Sequence, residues 1–180
     1  MSTLHSMNNY IFLYNALSHL FLSISKSLTD PNKKQTLLFS LGHLFIATAQ
    51  MSFFGETFTP GTGKVSMITG TIGHTCLLFF ILRKMMTSVF SSWNIIFLLG
   101  QLGMIYFYLN HIDEKKEISL LFTNKELKHA HIFLITFIAM FIYYLKSFYS
   151  ASHRLVSVSL LLVAGVYLSF IYHFTMALMK

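Results

Sequence analysis

NALSHLFLSISK (residues 15–26), KKQTLLFSLGHLFIATAQ (33–50) and MITGTIGHTCLLFFILR (67–83) are apolar runs, each holding one histidine and each closed by a basic residue. His19 lies seven positions before Lys26, His43 nine after Lys34, and His74 nine before Arg83. The runs are continuous rather than alternating, which fits helices and not barrel strands. As helices crossing a bilayer, rising ~1.5 Å per residue, they set all three imidazoles roughly 10–14 Å from one membrane boundary. The expected fold class is all-α, a polytopic transmembrane helix bundle.

Composition agrees. Of 180 residues, 54% are hydrophobic and 11% charged, with a mean hydropathy of +0.62. A soluble domain carries about 25% charged residues and could not hide this much apolar surface. Working outward from the quoted runs, the pattern predicts about six spans: 10–27, 36–54, 65–82, 88–109, 130–149 and 155–179. Each approaches the ~20 residues needed to cross the hydrocarbon core. They leave too little chain for a soluble domain, so residues 1–180 read as one integral membrane domain. Between spans 4 and 5, Ile118, Leu121, Phe122 and Leu127 suggest a short surface helix, with lysines on its other face.

The formal net charge is +7. The cations sit between apolar runs in clusters too short for a nucleic-acid footprint, so the expected partners are the lipid bilayer and other membrane subunits or a second copy, with no nucleic acid. Lys26, Lys33, Lys34, Arg83, Lys84, Lys146 and Arg154 fall in the links after spans 1, 3 and 5, opposed only by Asp30. That bias predicts these links inside and both termini outside, in a bacterial or organellar inner membrane. The first ten residues lack a charged region and no cleavage site follows, so the first run is expected to be retained as a span. The single cysteine, Cys76, excludes an internal disulfide.

Polar residues recur on single helical faces: Asn15, His19 and Ser23; Ser40, His43 and Gln50; Ser66, Gly70 and His74; Asn94, Gln101 and Tyr108. In hydrocarbon such groups must meet one another or water. Asn15, Gln50, Asn94 and Gln101 are therefore expected to line a polar interior. Within it, His19, His43 and His74 are candidates for a transition-metal site. Together with His131 and His173, near the opposite boundary beside His111 and His129, they are candidates for haem b, since imidazole ligates both. Two histidine layers resemble the layout of membrane b-type cytochromes, but those carry paired histidines on one helix and no span here does. The alternative is that the histidines only bond helices together. Gly70 and Gly73, with Gly100 and Gly103, predict close packing of spans 3 and 4.

Other chemistry is absent. GTGK at 61–64 lacks the glycine and hydroxyl of a phosphate loop, with Phe58 and Val65 in their places. No span holds Asp or Glu, which ion-coupled transporters and pumps use, and no protease, lipase or glycosidase constellation is present.

Tyr14-Asn15-Ala16-Leu17, then Gly42 to Ala49, then Gly55 with Thr59-Pro60-Gly61-Thr62-Gly63, then Gly70 follow one another in order. In this, residues 14–83 resemble part of a family of small, functionally uncharacterised four-span membrane proteins with a Thr-Pro-x-Gly-Gly turn. Asn15 stands where that family has a histidine, and Thr62 interrupts the glycine pair. The resemblance implies the same membrane class and transfers no catalytic residue.

The function expected first is a non-catalytic accessory or scaffolding subunit of a larger membrane complex. The alternatives are a haem- or metal-binding redox protein built on the histidine layer, and a small-solute channel or carrier.

Overall fold

The structure, a computed structural model, describes residues 2–56, 63–87, 91–111 and 130–179. Among these, the regular elements are six helices: α1 (Ser2–Thr29), α2 (Lys33–Glu56), α3 (Gly63–Thr87), α4 (Ser92–His111), α5 (Ala130–Tyr149) and α6 (Arg154–Leu178). Helices satisfy every backbone polar group within the segment, which lipid requires. The hydroxyls of Thr69, Thr71 and Thr75 donate back to carbonyls four residues earlier in α3, at 2.7–2.8 Å, so they too are satisfied locally. The surface helix expected between spans 4 and 5, and most of the glycine-rich link, lie outside the described residues.

Five of the helices are long and apolar enough to cross a membrane, within 36–55, 64–87, 92–109, 131–149 and 154–176. The sequence predicted six. The exception is α1, where Asn15, Ser18, His19, Ser23, Ser25 and Lys26 dilute the apolar run. All of these except Lys26 are buried, while Leu17, Leu20, Phe21, Ile24 and Leu28 face outward. The polarity that lowers its hydropathy is therefore turned into the bundle.

Each helix packs on the next, and α6 returns to α1, closing a ring. Leu22, Leu77, Ile81, Phe97, Met140 and Val163 fill its interior, all fully buried. Aromatic rings bridge neighbours, as where Phe97 of α4 stacks on Tyr143 of α5 with centroids 3.8 Å apart.

Glycines set the closest approaches. A Cβ on Gly73 would lie 2.8 Å from the Gly42 carbonyl oxygen and 2.9 Å from the Ile46 backbone nitrogen, so α2 and α3 cross backbone to backbone. Gly70 receives the Tyr108 ring of α4, while Gly100 and Gly103 receive Met140 and Thr136 of α5. The expected close packing of spans 3 and 4 through paired glycines is therefore redistributed. Of these small residues, only Gly70 serves that pair; the others face α2 and α5.

The α1–α2 turn is fixed by Asp30. Its Oδ1 accepts the Asn32 amide at 2.9 Å and its Oδ2 pairs with Lys26 Nζ at 3.1 Å. Pro31 prevents α1 from continuing. Partial burial pushes the Asp30 carboxyl up, but the Asn32 amide and the Lys26 ammonium outweigh it and hold it below its ordinary 3.8. A depressed carboxylate stabilises the folded state above its unfolded value and loses that contribution as pH falls through its folded value. Asp30→Asn should thus cost under about 1 kcal/mol at neutral pH, as an exposed pair does. In thermal melts the gap from wild type should close well below pH 3.8.

Candidate functional site

His19 of α1 and His43 of α2 are fully buried and meet at the centre of the ring. Their Nδ1 atoms lie 2.7 Å apart and their rings stack with centroids at 4.9 Å. That distance is a hydrogen bond, so one Nδ1 carries a proton and the other accepts it. His43 Nε2 continues the chain to the Tyr144 hydroxyl of α5, across the ring, at 3.4 Å. Tyr144 in turn stacks on Tyr167 of α6, whose ring meets His19 edge-on.

His74 of α3 is also fully buried, and its Nδ1 donates to Gln101 Oε1 of α4 at 2.7 Å. Gln101 Nε2 points to the Met140 sulfur at 3.4 Å, which leaves its oxygen for His74. The buried histidines are tied pairwise to neighbours: His19 to His43, and His74 to Gln101.

Polar contacts continue above and below these pairs. Gln50 donates to the Tyr108 hydroxyl at 2.9 Å, seven residues beyond both His43 and Gln101, and Asn15 lies buried one turn before His19. Toward the basic links, Ser23 bonds the Ser40 carbonyl and Ser27 the Ser40 hydroxyl, both at 2.8 Å. From Ser27 to Asn15 this column covers ~18 Å of helical rise, more than half of a hydrocarbon core of ~30 Å.

Not every group in the column is paired. Asn15 Oδ1, His19 Nε2, Gln50 Oε1 and His74 Nε2 are buried and have no hydrogen-bond partner. With its proton on Nδ1, His74 presents Nε2 as an acceptor, as the two amide oxygens are. The unpaired set is therefore weighted toward acceptors, and its complement is a proton donor.

The metal reading of His19, His43 and His74 finds no support: among the described residues, no three His, Cys, Asp or Glu side chains converge as a ligand set. Two imidazoles on one tetrahedral metal stand about 3.3 Å apart, given bonds of ~2.0 Å. The observed 2.7 Å is too short for shared ligation. A bis-histidine haem has its two imidazoles on opposite faces of the porphyrin, whereas the His19 and His43 rings stack directly on each other. His131 is exposed at the start of α5 and His173 is half-buried near the end of α6, beside Tyr172. His131 is thirteen positions before Tyr144, or ~20 Å along the helix, and cannot share a ligand with the central histidines.

Of the expected polar interior, Asn15, Gln50 and Gln101 belong to the column. Asn94 is buried too, but lies at the basic end against Lys146 and Ser150. Tyr144 and Tyr167 were not singled out from the sequence, although a tyrosine in a span signals a hydroxyl that needs a partner. Gln101→Leu should leave His74 with neither nitrogen paired and destabilise the bundle by about 1–3 kcal/mol, measurable as a lower midpoint in detergent unfolding.

No family model, curated protein or solved structure matches this chain.

Proposed function

We propose that this integral membrane protein passes protons through its buried polar column, with His19, His43 and Tyr144 as the relay. The observation that supports this is the 2.7 Å Nδ1–Nδ1 contact between two fully buried imidazoles on different helices. In one tautomeric arrangement His19 holds its proton on Nδ1, and His43 holds its own on Nε2, facing Tyr144. A proton arriving at His19 Nε2 releases the Nδ1 proton to His43 Nδ1, the His43 Nε2 proton passes to the Tyr144 oxygen, and the Tyr144 hydroxyl gives its own proton to a water molecule. One proton enters and one leaves, and both rings exchange tautomers. Between His19 and Tyr144 the transfer runs along side-chain hydrogen bonds, and a water molecule must deliver the proton to His19 Nε2, which has no side-chain partner. This narrows the channel-or-carrier expectation to the smallest solute.

Reconstitution into liposomes holding a pH-sensitive dye, with a potassium diffusion potential as driving force, tests the proposal. Wild type should acidify the lumen faster than protein-free liposomes, and His43→Phe should reduce the rate to that background. Equal rates for wild type and empty liposomes would contradict it.

A second reading, an accessory or scaffolding subunit, takes the polar contacts as bonds that only hold the helices together, as in the 2.9 Å Ser25–Ser159 pair joining α1 to α6. Mild extraction should then recover a larger complex, and a stable monomer with no co-purifying protein would count against it. The exposed apolar residues are spread over all six helices, as contact with lipid requires.

A further inference from the structure

A cleft opens at the end of the ring where the basic links gather. Its larger lobe, about 420 Å³, is bounded by Lys26 and Asp30 at the α1–α2 turn, Lys84 at the end of α3, and Ser147, Ser150 and His153 around the α5–α6 link. Phe39, Phe80, Val156 and Leu160 line the same lobe and give it an apolar wall. A second lobe of about 230 Å³ shares Lys84, Tyr143, Ser147 and Ser150, and adds Lys146 and Trp93.

Lys26, Lys84 and Lys146 each sit in the last turn of a helix, where a cation offsets the helix dipole. That role needs no cavity. Here the cations border one, and among the described residues the only carboxylate lining it, Asp30, is paired with Lys26. The N-termini of α2, α4 and α6 reach the same end with no acidic residue in their first turns. Cations, hydroxyls and helix N-termini beside an apolar wall, at the hydrocarbon boundary, match an oxyanion attached to an apolar chain.

We propose that this cleft binds a phosphate group carried on an acyl chain, the headgroup of an anionic phospholipid. Lys84, common to both lobes, is its principal contact, with the Ser147 and Ser150 hydroxyls beside the remaining oxygens. The apolar wall of Phe39, Phe80 and Leu160 receives the start of the chain. The site is separate from the histidine column and does not depend on the relay.

Trp93 is the single tryptophan of the chain, and its ring lies 5.7 Å from Lys146 Nζ, so its emission reports on the cleft. The full chain in neutral detergent is titrated with phosphatidylglycerol, phosphatidylcholine and inorganic phosphate. Phosphatidylglycerol should give a saturable change and phosphatidylcholine none. Lys84→Gln should weaken the response at least about ten-fold. Arg83→Gln, which removes the same charge from an exposed position outside the cleft, should leave it unchanged. Should Lys84→Gln fail to fold, Ser150→Phe fills the cleft from an exposed position and should cause the same loss. An equal response to phosphatidylcholine, or equal weakening by Arg83→Gln, would overturn the proposal. Saturation by inorganic phosphate at the same concentration as the lipid would reassign the cleft to a soluble phosphate and overturn the lipid assignment.

Discussion

Gly73→Leu should yield no folded bundle. The first atom added, a Cβ, already stands 2.8 Å from the Gly42 carbonyl oxygen and 2.9 Å from the Ile46 nitrogen, and both belong to the α2 backbone. Neither yields by changing a rotamer, so α2 must move as a body. α2 also carries His43, which bonds to α1 and α5, and its displacement would break those contacts too. Overpacking a tight site costs about 1–3 kcal/mol when side chains can adjust; here the expected cost exceeds that range, and Gly73→Ala should fall within it. Gly100→Ala provides the contrast. Its Cβ would meet the Met140 sulfur at 2.6 Å, the far end of a flexible side chain, so it should be tolerated at under about 1.5 kcal/mol. Unfolding midpoints of the three variants in one detergent check the order.

The second large effect is expected at His43. His43→Leu removes the partner of His19 Nδ1, and His19 Nε2 has no partner already, so an entire imidazole is left unpaired in the core. The Tyr144 hydroxyl loses His43 as well. A buried polar group deprived of its partner costs about 1–3 kcal/mol, and bonds between membrane helices average nearer 0.6. The single variant should therefore lose roughly 1–3 kcal/mol. His19→Leu combined with His43→Leu should recover much of that, because replacing both partners removes the unpaired group along with the bond. A double-mutant cycle on unfolding free energies measures the coupling. Proton flux should stay at background in both variants, so stability and transport separate in the double variant.

The helical class and five of the six spans were legible because continuous apolar runs report the solvent directly. The three histidines stood out for a geometric reason: distance from a basic helix end translates into expected depth. Depth alone does not say which helix stands beside which. That His43 faces His19 on one side and Tyr144 on the other follows from closing six helices into a ring, which no spacing along the chain encodes. Gly73 looked like a partner for span 4 because both spans carry paired glycines, yet its counterpart is Gly42, a single small residue next to His43. Asn94 shares a heptad stripe with Gln101, but seven residues of rise carry it ~10 Å away, to the basic end. The metal and haem expectations rested on residue type and depth; the structure brings His19 onto His43 and His74 onto Gln101, a pairing that residue type and depth do not encode. The hydropathy of α1 was lowered by the residues that make it part of the column.

The proposed relay requires that His19 and His43 share one proton across their Nδ1 atoms. Histidine labelled with nitrogen-15 in the reconstituted protein tests it by solid-state NMR. One proton-bearing Nδ1 and one bare Nδ1 are predicted, coupled through the hydrogen bond, with the coupling lost in His43→Phe. Two Nδ1 resonances that are uncoupled and unchanged by that substitution would show that the imidazoles do not meet, and would contradict the account.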